Sequence, residues 1–474
     1  MGRFIRGITK ATGLHLCLFL AIVPCVLLAQ TEVSLEDEIS NVLIPPHQYR
    51  LDIQISNSDY SWANSMANSL RAESGEVRLQ ENGESISLIV DGIIYEADAL
   101  LLLEDILHAE SGSIDHYSMQ RNGEEIAVDG DILNLEERSF SGSMFDSPYS
   151  RLDALPVLEE GANPVFDALE SMRRSSSAVE FREALVSAYT ESAPNDILRG
   201  YAMNRLGILY LTEGDYDRAL RNFNAVAEGA LPADQISVAK SMRRVGWILH
   251  QRGDRLSAYR AYGEFLAFAD VSNALAGVES GNSTDLEWEM GHAVVERVGL
   301  IYELLVHHRV GSFAEVRLAI RDSLEALPGI PEFTQRRATL ELMFLETFHH
   351  EGYYEHSNEL ANDFIHRYMQ FNDHELWREI GQAMFLRGHN EFLLGNYEQA
   401  MEYYDMTIQQ CPADVEYFAH ENPAAKSFHG IGTILFLQGD SVGTIDMYRH
   451  VVQNYPDSGV AQTIAEHYPT LVRR

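Results

Sequence analysis

The sequence predicts a mainly α chain, an array of stacked helical hairpins preceded by a small α+β unit. Three observations predict it. A glycine followed by a helix-capping residue recurs through residues 200–456, the apolar residues before each such glycine keep helical period, and residues 48–121 alternate at strand period in several short runs. At 474 residues the chain exceeds one compact core, and an apolar fraction of 46% is enough to order it.

Residues 1–29 are expected to be a signal peptide. Arg3, Arg6 and Lys10 form a positive start, Leu14 to Leu28 is an apolar run, and Ala29-Gln30 offers a cleavage point. The run is shorter than the roughly 20 residues of a spanning helix, so the membrane is met only through this segment, if it stays uncleaved. The expected location is therefore the periplasm or cell envelope of a bacterium. Loss of the segment removes Cys17 and Cys25 and leaves Cys411 alone, which excludes an intramolecular disulfide and a cysteine zinc site. Loss of Arg3, Arg6 and Lys10 takes the formal net charge from −36 to −39. A field of that sign repels phosphate backbones, so nucleic acid is not a partner.

Within 48–121, Tyr49, Leu51, Ile53 and Ile55 alternate with polar residues, as in a half-buried strand. Ala63, Met66, Ala67 and Leu70 then recur at helical spacing. Val77-Arg78-Leu79 and Ile86, Leu88, Val90 are two strands around an Asn82-Gly83 hairpin turn. Tyr95 to Glu110 is a second helix and Ile114 to Met119 a last strand. The order β-α-β-β-α-β predicts a ferredoxin-like sandwich with both helices on one sheet face. Tyr49-Arg50-Leu51-Asp52-Ile53-Gln54, with Ala63 and Ala99 in the two helices, resembles the SPOR domain, a peptidoglycan-binding module. Asp52 and Gln54 depart from that family's glutamine and glycine. The resemblance implies glycan binding on the uncovered sheet face by Arg50, Asp52, Gln54 and Ser87, beside Ile89. Residues 136–162, rich in Ser, Gly and Pro, are expected to be a linker.

The helical array is expected over 200–456, with capping helices at 163–199 and a closing helix in 457–474. Its joints are Gly214, Gly253, Gly311, Gly352, Gly395 and Gly439, followed by Asp215, Asp254, Ser312, Tyr353, Asn396 and Asp440. Glycine suits the left-handed residue that ends one helix, and all of the followers but Tyr353 are side chains that cap the next. Five residues past each glycine stand Ala219, Ala258, Val316, Ser357, Ala400 and Thr444; seven before stand Gly207, Gly246, Leu304, Leu345, Gly388 and Gly432. Phe223, Tyr262, Ile320, Ala361, Tyr404 and Tyr448 follow, mostly supplying bulk toward the next hairpin. Pro328, Pro412 and Pro456 stop second helices at a shared offset.

These residues resemble the tetratricopeptide repeat (TPR), most closely through Gly207, Tyr210, Ala219 and Phe223 and through 395–404. Spacings of 39, 58, 41, 43 and 44 residues depart from that family's shorter period, and the longest contains a Gly/Ser/Asn-rich insertion at Gly277 to Thr284 where the array could divide into two blocks. The resemblance implies a superhelix whose inner face, lined by first helices, holds a protein or peptide. The residues three before each joint (Leu211, His250, His308, His349, Phe392, Phe436) and six before (Ile208, Trp247, Leu305, Glu346, His389, Thr433) are expected there. Trp247, His250, His308, His349, His389, Phe392 and Phe436 are the candidate partner-binding residues. Only Asn204 and Arg243 lie near the places where relatives grip a terminal carboxylate, so an apolar extended segment is the expected ligand.

No catalytic residue, metal site or cofactor is predicted: His374-Glu375 lacks a second histidine, and no phosphate loop or nucleophile elbow is present. The expected function is that of a non-enzymatic envelope scaffold tethered to peptidoglycan. The alternative is an accessory subunit of an outer-membrane or envelope enzyme or export complex, with no glycan binding.

Overall fold

The computed structural model describes residues 34–42, 48–56, most of 63–70, 76–82, 85–109, 114–128, 163–276, 283–327, 333–371, 374–411 and 422–468. The expected signal peptide (1–29), the linker (136–162) and the Gly83 turn lie outside the described residues. Among those described, no helix is long and apolar enough to cross a membrane.

A short helix, α1 (Leu35–Ser40), precedes the sheet. Strands β1 (Tyr49–Ser56), β2 (Glu76–Asn82), β3 (Ser85–Ile93), β4 (Ile114–Arg121) and β5 (Glu124–Ile126) lie in the order β2-β3-β1-β4-β5, and every pairing is antiparallel. The alternation in β1 does what its period requires: Tyr49, Leu51, Ile53 and Ile55 are all fully buried. Helical residues within 63–70 and α2 (Glu96–Ala109) contribute Ala63, Ala67, Leu70, Ala99, Leu103 and Ile106 to the same core. The expectation of four strands ending at 121 is corrected by β5. Asn122 and Gly123, at φ of 52° and 83°, turn the chain back so that β5 extends the sheet edge.

The array opens with α3 (Pro164–Ser175) and α4 (Ala178–Glu191). Ser177 and Glu180 form a reciprocal capping box at the start of α4, a joint that needs no glycine. Hairpins follow: α5 (Leu198–Thr212) with α6 (Tyr216–Ala227), α7 (Gln235–Gln251) with α8 (Arg255–Ala276), and α9 (Ser283–Glu303) with α10 (Phe313–Ala326). Three more pair α11 (Thr334–Glu351) with α12 (Tyr354–Met369), α13 (Trp377–Leu394) with α14 (Tyr397–Gln410), and α15 (Pro423–Leu437) with α16 (Ser441–Asn454). The closing helix is α17 (Gly459–His467), whose Ala461 and Ile464 cover Ala425, Tyr448 and Val451.

All six joint glycines are left-handed, with φ between 76° and 87°. Asp215, Asp254, Ser312 and Asp440 each accept the backbone N–H three residues on. Asn396 does not cap; its amide donates instead to Glu391 Oε2 at 2.8 Å.

Two expectations about packing change. The aromatic residues do not point only toward the next hairpin; they fold onto the glycine of their own. A Cβ at Gly207 would lie 2.6 Å from Phe223, at Gly388 2.7 Å from Tyr404, and at Gly432 2.6 Å from Tyr448. Tyr404 also reaches forward, because a Cβ at Gly430 would stand 2.5 Å from its ring. Where leucine stands at the glycine place no ring follows: Leu345 and Ala361 of the fourth hairpin are both fully buried. Nor does the array divide at the insertion. Residues 277–282 lie outside the described residues, yet α8 packs on α9 and α7 on α9, so stacking runs through.

First helices of successive hairpins touch one another, while second helices of successive hairpins make no contact of that extent. The first helices therefore form the inner layer and the second helices the outer one.

The small domain docks on the outer layer: α1 meets α10 and α12, and α2 meets α8. Buried polar groups fix it. The Tyr49 hydroxyl lies 2.9 Å from Glu315 Oε1 and 3.1 Å from Glu96 Oε2. Glu96 accepts from Gly311 N at 2.8 Å, and Glu315 accepts from Glu96 N at 3.1 Å. Leu35 N donates to Asp363 at 3.1 Å, and His356 Nε2 meets Glu38 at 3.1 Å.

Gly388→Ala and Gly395→Ala separate the two roles of glycine. Gly395 has open space at its Cβ, so its replacement should cost only the left-handed backbone penalty, about 1 kcal/mol. Gly388→Ala drives a methyl into Tyr404 and should cost about 2–3 kcal/mol. Thermal denaturation of both variants checks the order; equal losses would contradict the ring-on-glycine contact.

Candidate functional site

The predicted partner-binding residues sort into three groups. His349, His389 and Phe392 come together. The helical period of α11 and α13 carries them onto the inner layer, with His349 and His389 centroids 5.4 Å apart and His389 stacked between Phe385 at 5.6 Å and Phe392 at 6.0 Å. Tyr354 and Tyr397, the first residues of the outer helices, close the ends against His349 at 5.6 Å and Phe392 at 5.8 Å. The next hairpin continues the row with His429, stacked on Tyr448 at 5.2 Å, and with Phe436, 42% exposed.

A chain of buried amides orients this row. His349 Nδ1 donates to Asn390 Oδ1 at 2.6 Å, Asn390 Nδ2 to Asn358 Oδ1 at 2.9 Å, and Asn358 Nδ2 to Glu391 Oε1 at 2.7 Å. Each donor spends a proton on the next acceptor, which fixes the orientation of the His349 ring. Burial, reinforced by positive neighbours His349, Lys426, His429 and His350, lowers His389 to about 4, and burial also lowers His429. Neutral imidazoles beside Phe385, Phe392 and Tyr397 make a surface suited to apolar and aromatic side chains, with few charges for a ligand to desolvate.

Trp247 and His250 stand on the inner layer two hairpins before His349. Trp247 is half-buried against Tyr216 at 6.0 Å. His250 is not free to bind a partner. Its Nε2 lies 3.0 Å from Glu303 and its Nδ1 3.5 Å from Glu296, and hydrogen bonds to these carboxylates raise it to about 9. Glu303 is lowered to about 2, by His250 first and Arg255 next.

His308 lies in the third joint and is exposed. The third joint is built as a π turn, Leu304–His308, ended by Arg309 at φ 59°, and His307 and His308 within it are exposed. Among the described residues His308 has no hydrogen-bond or ring partner.

Sequence reasoning overlooked Phe385 and His429, ten residues before their joints, and Gln382 and Lys426, thirteen before. Lys426 Nζ lies over the Phe385 ring at 5.5 Å and donates to Gln382 at 3.3 Å. The joint register already contained them, since those offsets share the helix face of the positions three and six before.

On the small domain, β1 brings Arg50, Asp52 and Gln54 to one face, with Ser87 opposite Gln54 and Ile89 opposite Asp52. The charges are spent internally: Arg50 pairs with Asp52 at 3.6 Å and Asp91 at 3.7 Å, and Arg78 also pairs with Asp91. Ser87 is 3% exposed, so its hydroxyl is not offered to a ligand. Among the described residues no group of three or more His, Cys, Asp or Glu side chains is placed to hold a metal ion.

The tetratricopeptide-repeat family model matches residues 427–458, the hairpin of α15 and α16. No curated protein matches the chain. Similar solved structures include NprR in complex with its cognate peptide NprX, at 10% identity over 64% of this chain and 83% of that one, TM-score 0.35. Another is the assembly chaperone of RpL4, Acl4, at 14% identity over 59% and 97%, TM-score 0.37. A third is a signal-transduction ATPase with a tetratricopeptide-repeat sensor from Pyrococcus horikoshii, at 11% identity over 83% and 59%, TM-score 0.34.

The His250 pair sets a pH signature. A histidine raised in the folded state contributes fully below its ordinary value of 6.5 and loses that contribution as pH rises through about 9. Glu303 contributes above its ordinary 4.5 and loses its part as pH falls through about 2. His250→Gln should therefore cost about 1 kcal/mol at pH 6 and little at pH 10. Urea unfolding at both values checks it; an equal loss at pH 10 would show that packing, not charge, makes the contribution.

Proposed function

We propose that this chain is an exported cell-envelope scaffold that holds an extended, apolar segment of a protein partner along the inner layer of its repeats. The carrying observation is the continuous row of rings from His349 through His389 to Phe392, held at 5.4 and 6.0 Å separations and oriented by buried amides. An aromatic row needs preorganisation to bind a flexible segment with useful affinity, and the Asn390–Asn358–Glu391 chain supplies it. The repeat match at 427–458 adjoins that row and agrees with a protein-binding role. Export rests on the charged and apolar composition of residues 1–29.

The small domain is assigned as a brace for the array. Its polar groups are spent on Gly311, Glu315 and Asp363, and its open sheet face is internally paired. Peptidoglycan tethering through Arg50, Asp52 and Gln54 is the second reading, favoured by their place on one face of β1.

Trp247→Ala combined with Phe392→Ala should leave helicity intact by circular dichroism and weaken capture of a partner from native envelope extract about tenfold or more. Unchanged capture sinks the assignment of the inner face. The tethering reading has its own test: the purified chain is mixed with peptidoglycan sacculi and spun down, and Arg50→Ala should halve what pellets. A wild-type protein that stays in the supernatant rules it out.

A further inference from the structure

A cavity of about 440 Å³ lies where Tyr95 of the small domain meets α8, α9 and α10, apart from the row of rings. Most of its wall is apolar, formed by Leu266, Met290, Val294, Val298, Ile301 and Leu327. One part is polar, with Tyr95, Tyr259, Arg297 and Asp322. Sites of this size and composition, at a junction between domains, are where small molecules bind.

The polar groups are unequally satisfied. Tyr95 donates to Asp322 at 3.4 Å, and Asp322 also accepts from Arg321 at 2.8 and 3.1 Å. Tyr259 donates to Asp98 at 3.0 Å. Arg297 makes a single hydrogen bond among the described residues, from Nη2 to the Tyr259 hydroxyl at 2.7 Å, and its plane sits 4.4 Å from the Tyr259 centroid. The nearest carboxylate, Asp98, stands off at 3.7 Å, and Arg297 Nε has neither solvent nor an acceptor. A third of the Arg297 side-chain surface is accessible, and Arg297 lines the cavity. A partly accessible guanidinium whose hydrogen bond among the described residues uses only Nη2 keeps a donor, Nη1, for a planar anionic acceptor. The acids alongside, Asp98 and Asp322, repel a second negative charge.

We propose that this cavity binds an amphipathic monocarboxylate, its head held by Arg297 and its apolar body lying against Val294, Val298 and Ile301. Sodium decanoate, kept below its micellar concentration, is the probe, titrated calorimetrically into the full chain. One saturable site with a dissociation constant in the roughly micromolar range is expected. Decyltrimethylammonium, with the same tail and opposite charge, should bind about tenfold or more weakly. Val294→Phe fills the cavity and should weaken decanoate about tenfold or more, as should Arg297→Gln. Ala319→Leu narrows the opposite wall and replaces Val294→Phe if that variant loses its thermal transition. Trp247→Ala with Phe392→Ala should bind decanoate like wild type, which separates this site from the inner layer. The proposal is overturned by absence of saturation, by equal binding of the cation, by wild-type affinity in a cavity-filling variant that keeps its transition, or by loss of binding in the Trp247–Phe392 variant.

Discussion

Within each hairpin an outer-helix side chain lies across the inner helix at the point where that helix has least bulk. Phe223 on Gly207, Tyr262 on Gly246, Tyr404 on Gly388 and Tyr448 on Gly432 are one contact repeated. It sets how closely the two helices approach, and burying each ring removes apolar surface worth about 1.5–3 kcal/mol from water. The third and fourth hairpins carry Leu304 and Leu345 at the glycine place, and their paired helices meet less extensively than those of the other four. A bulkier residue at the glycine place leaves no room for a ring to lie against the backbone, because close-packed interiors tolerate little net gain of bulk. Everything else, from the left-handed joints to the facing of the inner layer, presupposes that spacing.

The small domain uses different physics. Its contact with the outer layer is held largely by buried hydrogen bonds among Tyr49, Glu96, Gly311 and Glu315. Burial raises Glu315, and burial with the two carboxylates pushes the Tyr49 phenol far above its usual value. A network of this kind tolerates no partial satisfaction, since each unpaired buried group costs more than the bond it lost. It therefore specifies one docking geometry. Because that geometry lies on the outer helices, the small domain leaves the inner layer uncovered, and the seam with α8, α9 and α10 leaves room for a cavity.

The inner layer changes character along the array. At α7 and α9 it is ionic, with His250 held between Glu296 and Glu303. From α11 to α15 it is aromatic, and burial holds His389 and His429 below the usual imidazole range. The first stretch ties neighbouring hairpins together, and the second is the surface on which apolar side chains can settle without displacing an ion pair.

The joints, caps and helical periods were legible in the sequence because each is a local matter. A left-handed glycine, an aspartate three residues from the N–H it accepts, and an alternating strand carry their physics within a few neighbours. The face that β1 buries and the inner-layer positions of His349, His389 and Phe392 followed from period alone. What period could not show was anything decided by residues far apart in the chain. Tyr49 meets Glu315 across 266 positions, and no spacing announces it. His250 stands at a partner-facing offset and is consumed by two glutamates of the next hairpin; His308 stands at the same offset but within a π turn, which helical period does not announce. The fifth strand and the cavity beside Arg297 likewise depend on which surfaces meet. Amino-acid order determined the elements and their faces, because those are set by backbone geometry and side-chain period. Tertiary structure alone decided which polar groups are spent, which remain available and where space is left, because satisfaction of a buried group depends on what is packed against it.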